Sequence, residues 1–311
     1  MKQHTLKRYY SFEGKGLHTG QFAHLTLKPA GPDTGIVFVR TDIGPDATLP
    51  ALGEFVSDTS RSTTLSDGAI EVHTVEHLLS ALTGLGVDNA FVEIDNIEVP
   101  ILDGSARFYV EAIAKDGLEK QNAERKYIEL SEPIEIVDEK RGSSIRIEPA
   151  AETAYDATID FNSRVLGIQR VHWDKSVDYK TQIASCRTFV FLHEIAYLFR
   201  MGLVKGGDVD NAIVIVEHPI PDEQLEELCS LFNVKKLRIS DKGYLNNLRL
   251  YFNDECGRHK LLDLIGDIRL AGGYLRAHIS AYKPGHSINT KAALAAIKSI
   301  WSWQKFTLWR A

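Results

Sequence analysis

"KDGLEKQNAERK", residues 115–126, carries seven charged side chains in twelve positions and one large apolar one, Leu118. A segment this polar cannot bury a face of its own, so it reads as a connection between two folded stretches. On its N-terminal side, "FAHLTLKPA" (22–30), "GIVFVR" (35–40) and "NAFVEIDNIEV" (89–99) alternate as strands, while "TVEHLLSALTGLG" (74–86) and "ARFYVEAIAKDG" (106–117) have helical spacing. On its C-terminal side the pattern starts again. "YIELSEPIEIV", "SSIRIEP" and "YDATIDF" are strands, and helices are expected near 191–201, 221–232, 256–272 and 289–301. A domain boundary is therefore expected near residue 122, with α+β domains over 1–122 and 123–311. The shared order suggests a duplicated α+β unit, although no residue-level repeat is evident.

The composition is that of a soluble globular chain, with 44% hydrophobic and 25% charged residues, and no apolar run approaches a membrane span. The N-terminus "MKQHTLKRYY" has no apolar export signal. Cys186, Cys229 and Cys256 are odd in number and form no C-x-x-C pair, which suits a reducing compartment, so a cytoplasmic location is expected. A net charge of −6 argues against nucleic-acid partners, since binding them rewards dense Lys/Arg surfaces. A small anionic ligand needs only a local basic pocket. "GKGLHTG" (14–20) fails the G-x-G-x-x-G spacing and precedes a strand-like run, so no dinucleotide site is expected there. Neither a Walker A sequence nor a G-x-S-x-G elbow occurs.

Two pairs have the spacing by which one helix offers two ligands to one metal. The first is His73 and His77 in "EVHTVEHLL" (71–79), an H-x-x-E-H match. The second is His259 and Asp263 in "RHKLLDLIGDIRL" (258–270), where Asp267 extends a polar stripe along an otherwise apolar helix. Buried carboxylates on such a helix need a metal, a cation or other donors. His77, His259 and Asp263 would make a His2Asp set, and Glu76, next to a ligand, could take a proton from water at the metal. His286 follows Pro284 and Gly285 in "SAYKPGHSIN", where a turn would expose it as a candidate general acid.

"GKGLHTG", "HTVEHLLSALTGLGVDNAFVEIDNIEVPILDGSA", "CRTFVFLHEIAYLFRMGLVKGGDVDNAIVI", "RHKLLDLIGDI" and "SAYKPGHSINTK", in this order, closely resemble the UDP-3-O-acyl-N-acetylglucosamine deacetylase family, zinc enzymes of lipid A biosynthesis. The resemblance implies two domains, each a sheet layered with helices, whose helical layers face one another across the active site. It implies one Zn2+ per chain on His77, His259 and Asp263, with Glu76 as general base. His286 would be the protonated partner of the departing amine, oriented by Asp267, and the Thr188 hydroxyl would help stabilise the tetrahedral oxyanion. The substrate would be an acylated UDP-N-acetylglucosamine. Lys260 and Lys283 are expected near its sugar and diphosphate, Phe161 against uracil, and His18 and Phe189 beside the site. An insert over 191–214 would form the acyl passage, lined by Leu192, Ile195, Val204, Val209 and Val214.

Some features depart from that pattern. The connection 217–257 is long, as in the form fused to an acyl-carrier-protein dehydratase, so either a stand-alone deacetylase or a shortened fusion is expected. Glu148 stands where a lysine near the nucleotide is expected. The alternative reading of H-x-x-E-H is an inverzincin-like zinc peptidase using His73 and His77, which leaves His259 and Asp263 unexplained. Trp301, Trp303 and Trp309 with Lys298, Lys305 and Arg310 would allow a weak membrane-surface contact, although a packed last helix is the better explanation, since three tryptophans more often mean burial. A monomer is expected.

Overall fold

The protein is described here by a computed structural model covering residues 1–195, 205–208, 210–231 and 234–308, with side chains except for residues 231 and 300–308. Its architecture is α+β, built on two sheets that follow the same path. The first runs Tyr10–Lys15, Phe22–Pro29, Ala90–Ile94, Ile36–Arg40, Thr48–Pro50, antiparallel except between Ala90–Ile94 and Ile36–Arg40. The second runs Ile134–Asp138, Ser143–Pro149, Tyr274–Tyr282, Ala154–Asp160, Ile168–Asp174, again with one parallel pair, between Tyr274–Tyr282 and Ala154–Asp160.

The helices are α1 (Glu76–Leu85), α2 (Arg107–Asp116), α3 (Tyr179–Gln182), α4 (Asp222–Leu231), α5 (Glu255–Ile268) and α6 (His286–Leu308). In each sheet the central strand enters from one helix and leaves into another: α1 and α2 around Ala90–Ile94, α5 and α6 around Tyr274–Tyr282. The duplicated order seen in the sequence is thus a duplicated topology. Only the burial pattern has to be kept for that, which is why no residue-level repeat is needed.

Helices α1 and α5 hold equivalent places and pack directly on each other. Leu78, Leu79 and Leu82 of α1 and Leu261, Leu262 and Ile265 of α5 are fully buried, in one apolar cluster with Leu25, Phe38, Ile147 and Ile279 from both sheets. Gly86, at φ +87°, ends α1 in the left-handed conformation that suits glycine.

The polar stretch differs from its reading as a connection. Leu118–Glu124 is a strand, antiparallel to Lys2–Leu6. One of its polar side chains is tied into the fold: Gln121 donates to the Ala30 carbonyl (2.8 Å) and accepts from Asn89 (2.7 Å). The next strand, Tyr127–Glu129, lies parallel to Tyr274–Tyr282, so the chain passes from one sheet system to the other between Glu124 and Tyr127. The strand at 89–99 is also shorter than its alternation suggests. It stops at Ile94, because Asp95 and Asn96 turn the chain by accepting from the amides of His24 and Ile97.

Leu192, Ile195 and Val214 pack with Val216, Leu228 and Leu245 in a satellite core beside α4. Val204 and Val209 lie outside the described residues, as does Trp309. Helix α6 continues through Trp301 and Trp303, whose side chains are likewise outside them. Among the described residues no helix is long and apolar enough to cross a membrane.

Candidate metal centre

The face between α1 and α5 carries the polar residues of both helices. His77, His259 and Asp263 are all buried, and one ligand atom of each lies within 4.8 Å of the others. The two imidazoles stand nearly perpendicular, with centroids 4.9 Å apart. Each turns its Nε2 to the same atom, Asp263 Oδ1, at 3.4 Å. That oxygen has no hydrogen-bond partner among the described residues. An ionised oxygen left so in a protein interior is costly, and a cation shared with the two imidazoles would satisfy it. The other carboxylate oxygen, Oδ2, accepts from the Lys260 ammonium at 2.8 Å. Burial alone would raise the Asp263 pKa, but the neighbouring His259, Lys260 and His77 hold it well below the usual carboxylate range.

His259 is prepared as a ligand. Its Nδ1 lies 3.1 Å from the Cys186 carbonyl, so that nitrogen carries the proton and the Nε2 lone pair faces the centre. Burial lowers its pKa to about 3, favouring the neutral ring. The donor set therefore fits a metal ion of the kind that imidazole and carboxylate bind.

Glu76 flanks the centre at the start of α1. Its Oε2 accepts from the Thr63 amide at 3.0 Å, and its Oε1 lies 3.8 Å from His286 Nε2. Burial raises its pKa, partly offset by His286 and His77. His286 is not the exposed turn residue expected from "KPGH". It is the first residue of α6, with its side chain only 10% exposed and Nδ1 on Asp267 Oδ2 at 3.0 Å. Burial would lower its pKa, but the carboxylates of Asp267 and Glu76 raise it to about 9. It is a cation at neutral pH.

His73 is not gathered into the set. Thr74 has φ +57° and α1 begins only at Glu76, so the helical i, i+4 geometry that H-x-x-E-H requires does not extend back to His73. Its Nε2 lies instead 3.1 Å from Glu71.

A cleft of about 380 Å³ opens over the centre. It is lined by Glu76, His77, His259, Asp263 and His286 and by the expected His18, Phe161, Thr188, Phe189, Lys260 and Lys283. Phe161 is 43% exposed and packs its ring on Phe189 and Phe191, at 5.5 and 5.7 Å. Thr188 is held by its amide on the Gly104 carbonyl (2.8 Å) and by its neighbour Arg187, whose guanidinium grips the buried Glu255 at the start of α5. Leu192, Ile195 and Val214 do not line this cleft; they belong to the satellite core.

Several residues of the site were not singled out from the sequence. Arg61, Arg141 and Phe191 line the cleft. Arg141 sits in the turn after Ile134–Asp138; Glu148, where a lysine was expected, does not line the cleft and pairs with Arg146 at 3.1 Å. Thr63 and Asn289 are fully buried, and they donate to the carboxylates of Glu76 and Asp267 respectively. Glu98 is the least legible. Its buried carboxylate accepts from the amides of His18 and Thr19 and the hydroxyls of Thr19 and Thr74, at 2.7–2.9 Å. A β-carbon on Gly16 would sit 2.3 Å from Glu98 Oε2, so the glycine at this position makes room for a carboxylate.

Fold and donor set together define a two-sheet α+β protein with a buried His2Asp metal-type centre. Comparison with known proteins names the family. The sequence profile described as "LpxC: UDP-3-O-acyl N-acetylglycosamine deacetylase" matches residues 3–227 and 233–298. The chain is 41% identical over 96% of its length to the "Bifunctional enzyme LpxC/FabZ" of Porphyromonas gingivalis, and 39% over 96% to that of Bacteroides thetaiotaomicron. It is 41% identical over 99% of its length to the "UDP-3-O-acyl-N-acetylglucosamine deacetylase" of Saccharophagus degradans, covering 94% of that protein. It spans 65% of the length of the two bifunctional relatives. The chain belongs to the UDP-3-O-acyl-N-acetylglucosamine deacetylase family.

Proposed function

We propose that this chain hydrolyses the 2-acetamido group of a UDP-3-O-acyl-N-acetylglucosamine, giving acetate and the free amine, with one zinc ion held by His77, His259 and Asp263. The observation that carries the reading is Asp263 Oδ1, buried without a donor and faced at 3.4 Å by two imidazole nitrogens, with a carboxylate and an imidazolium alongside. Bound there, zinc supplies Lewis acidity to the amide carbonyl and lowers the pKa of an attacking water.

The chain's own residues do the rest. Glu76 takes the proton from the attacking water, and burial, which raises its pKa, makes it a better acceptor. His286 enters the reaction protonated, stabilises charge on the tetrahedral species and gives its proton to the departing nitrogen. Asp267 holds the ring for that transfer. The Thr188 hydroxyl donates to the developing oxyanion. Lys260 keeps Asp263 ionised by its 2.8 Å contact, and so serves the metal set besides facing the sugar. Lys283 and Arg141 meet the diphosphate, Phe161 stacks on uracil, and His18 borders the sugar. The acyl chain passes toward the insert at 191–214.

The same reading divides the chain near residue 122, with Glu76 and His77 on one unit and His259, Asp263 and His286 on the other. It places the enzyme in lipid A assembly, as a cytoplasmic monomer; the three cysteines are free, which supports a reducing compartment. The test is acetate release from the acylated UDP-sugar before and after chelation, with zinc restored, beside Glu76→Ala. Zinc-restored release that Glu76→Ala abolishes supports the proposal; wild-type protein with no metal-dependent release would overturn it.

A further inference from the structure

Thr63 touches Glu76 directly and reaches His286 through Asp267, from a chain segment to which none of the three belongs. It lies between the strands Val56–Asp58 and Thr64–Ser66 and is fully buried. All three of its polar groups are used. Its carbonyl accepts from the Val75 amide at 3.3 Å, which fixes it to the start of α1. Its amide donates to Glu76 Oε2 at 3.0 Å, and its hydroxyl donates to Asp267 Oδ1 at 2.6 Å. Asp267 passes the contact on through Oδ2 to His286 Nδ1 at 3.0 Å, with Asn289 Nδ2 on the same oxygen at 2.9 Å. His286 Nε2 faces Glu76 Oε1 at 3.8 Å.

The four residues thus form a ring with three hydrogen bonds and one open joint. The open joint lies between the two atoms that handle protons in the deacetylase reading, on which this inference rests. With Oε2 occupied by the Thr63 amide, Glu76 has Oε1 left to take a proton. With Oδ1 occupied by the Thr63 hydroxyl, Asp267 presents Oδ2 to the imidazole and cannot rotate away. We infer that Thr63 is a positioning residue that sets the Glu76 carboxylate and the His286 imidazole at a fixed separation on either side of the reacting amide.

A hydroxyl is needed for this and the methyl group is not, so Thr63→Val and Thr63→Ser separate the two. Two readouts are taken on the chain of residues 1–311: kcat and KM for acetate release by the zinc-loaded form, and the Nδ1 proton resonance of His286 in the metal-free form after 15N-histidine labelling. Thr63→Val is expected to lower kcat about 10- to 100-fold, the usual range for losing a group that orients a reacting one, with KM nearly unchanged. It should also shift or broaden the His286 Nδ1 proton signal. Thr63→Ser should restore both. If Thr63→Val does not fold, Thr63→Ala replaces it in the same comparison. A hydroxyl-free variant with wild-type kcat, or one that loses kcat with an unchanged His286 signal, overturns the inference. Wild-type protein that releases no acetate refutes the deacetylase reading instead, and the resonance comparison still decides whether Thr63 orders His286.

Discussion

The carbonyl oxygen of Glu76 occupies the space that a side chain at position 266 would fill: a β-carbon on Gly266 would sit 2.0 Å from it. This contact is what brings α1 and α5 close enough for His77 to meet His259 and Asp263 on one oxygen atom. Gly266→Ala should therefore push the helices apart, destabilising the fold by about 1–3 kcal/mol, the usual cost of overpacking, and weakening zinc binding as well. Thermal unfolding and a zinc titration on the same variant check both; full stability with unchanged affinity would show that the close approach does not matter.

The ligand set separates from the sequence match that overlaps it. Asp263→Ala should abolish zinc retention, because it removes the oxygen that both imidazoles face and leaves Lys260 without its carboxylate. His73→Ala should leave zinc content at the wild-type level. Metal analysis of the two purified variants gives the answer, and the reverse pattern would revive the peptidase reading.

The pH dependence follows from the two flanking groups. The Glu76 pKa is raised above 4.5, so kcat/KM should climb with pH through an acid limb lying above that value as Glu76 ionises. The His286 pKa is raised to about 9, so activity should fall as pH rises through that region and the imidazolium is lost. The same shift acts on stability: the His286 contribution is complete below its unfolded value of 6.5 and disappears as pH rises through about 9. In His286→Gln the alkaline limb of kcat/KM should vanish along with most of the rate. An alkaline limb that persists unchanged would assign it to another group.

For substrate recognition, Lys283→Ala and Arg141→Ala should each raise KM for the UDP-sugar, by about 10-fold for loss of a charge-assisted contact, and weaken inhibition by free UDP to the same degree. Lys283 is the better placed of the two: its backbone has φ +51° and its amide is fixed on the Thr158 carbonyl at 2.7 Å, which sets where its side chain leaves the strand end. Initial rates at low ionic strength measure this. If KM is unchanged in both variants, the diphosphate binds elsewhere.

Much of this was legible in the sequence where a short-range rule applies. His259 and Asp263 share a face because α5 is a regular helix, and the polar stripe on it signalled a buried partner. The duplicated topology showed through as a repeated order of periodicities. The limits lie where long-range contacts decide. His73 obeys the same spacing rule as His259, yet Thr74 turns the chain out of the helix before the rule can apply. His286 follows a turn-forming Pro-Gly, but its neighbours come from α1 and α5, so it is enclosed. Thr63 and Glu98 had no local signal, because their partners are brought together only when distant strands and loops are assembled. The stretch 118–124 reads as polar linker because its strand partner, Lys2–Leu6, and the partners of Gln121, Ala30 and Asn89, lie far off in the chain.

The central claim is that His77, His259 and Asp263 hold one metal ion. X-ray absorption at the zinc edge, on protein loaded with one equivalent, measures this directly. The predicted spectrum shows two imidazole nitrogens and otherwise oxygen at about 2.0–2.2 Å, with one imidazole lost in His77→Ala or His259→Ala. A sulfur shell near 2.3 Å, or an imidazole count unaffected by either substitution, would contradict it.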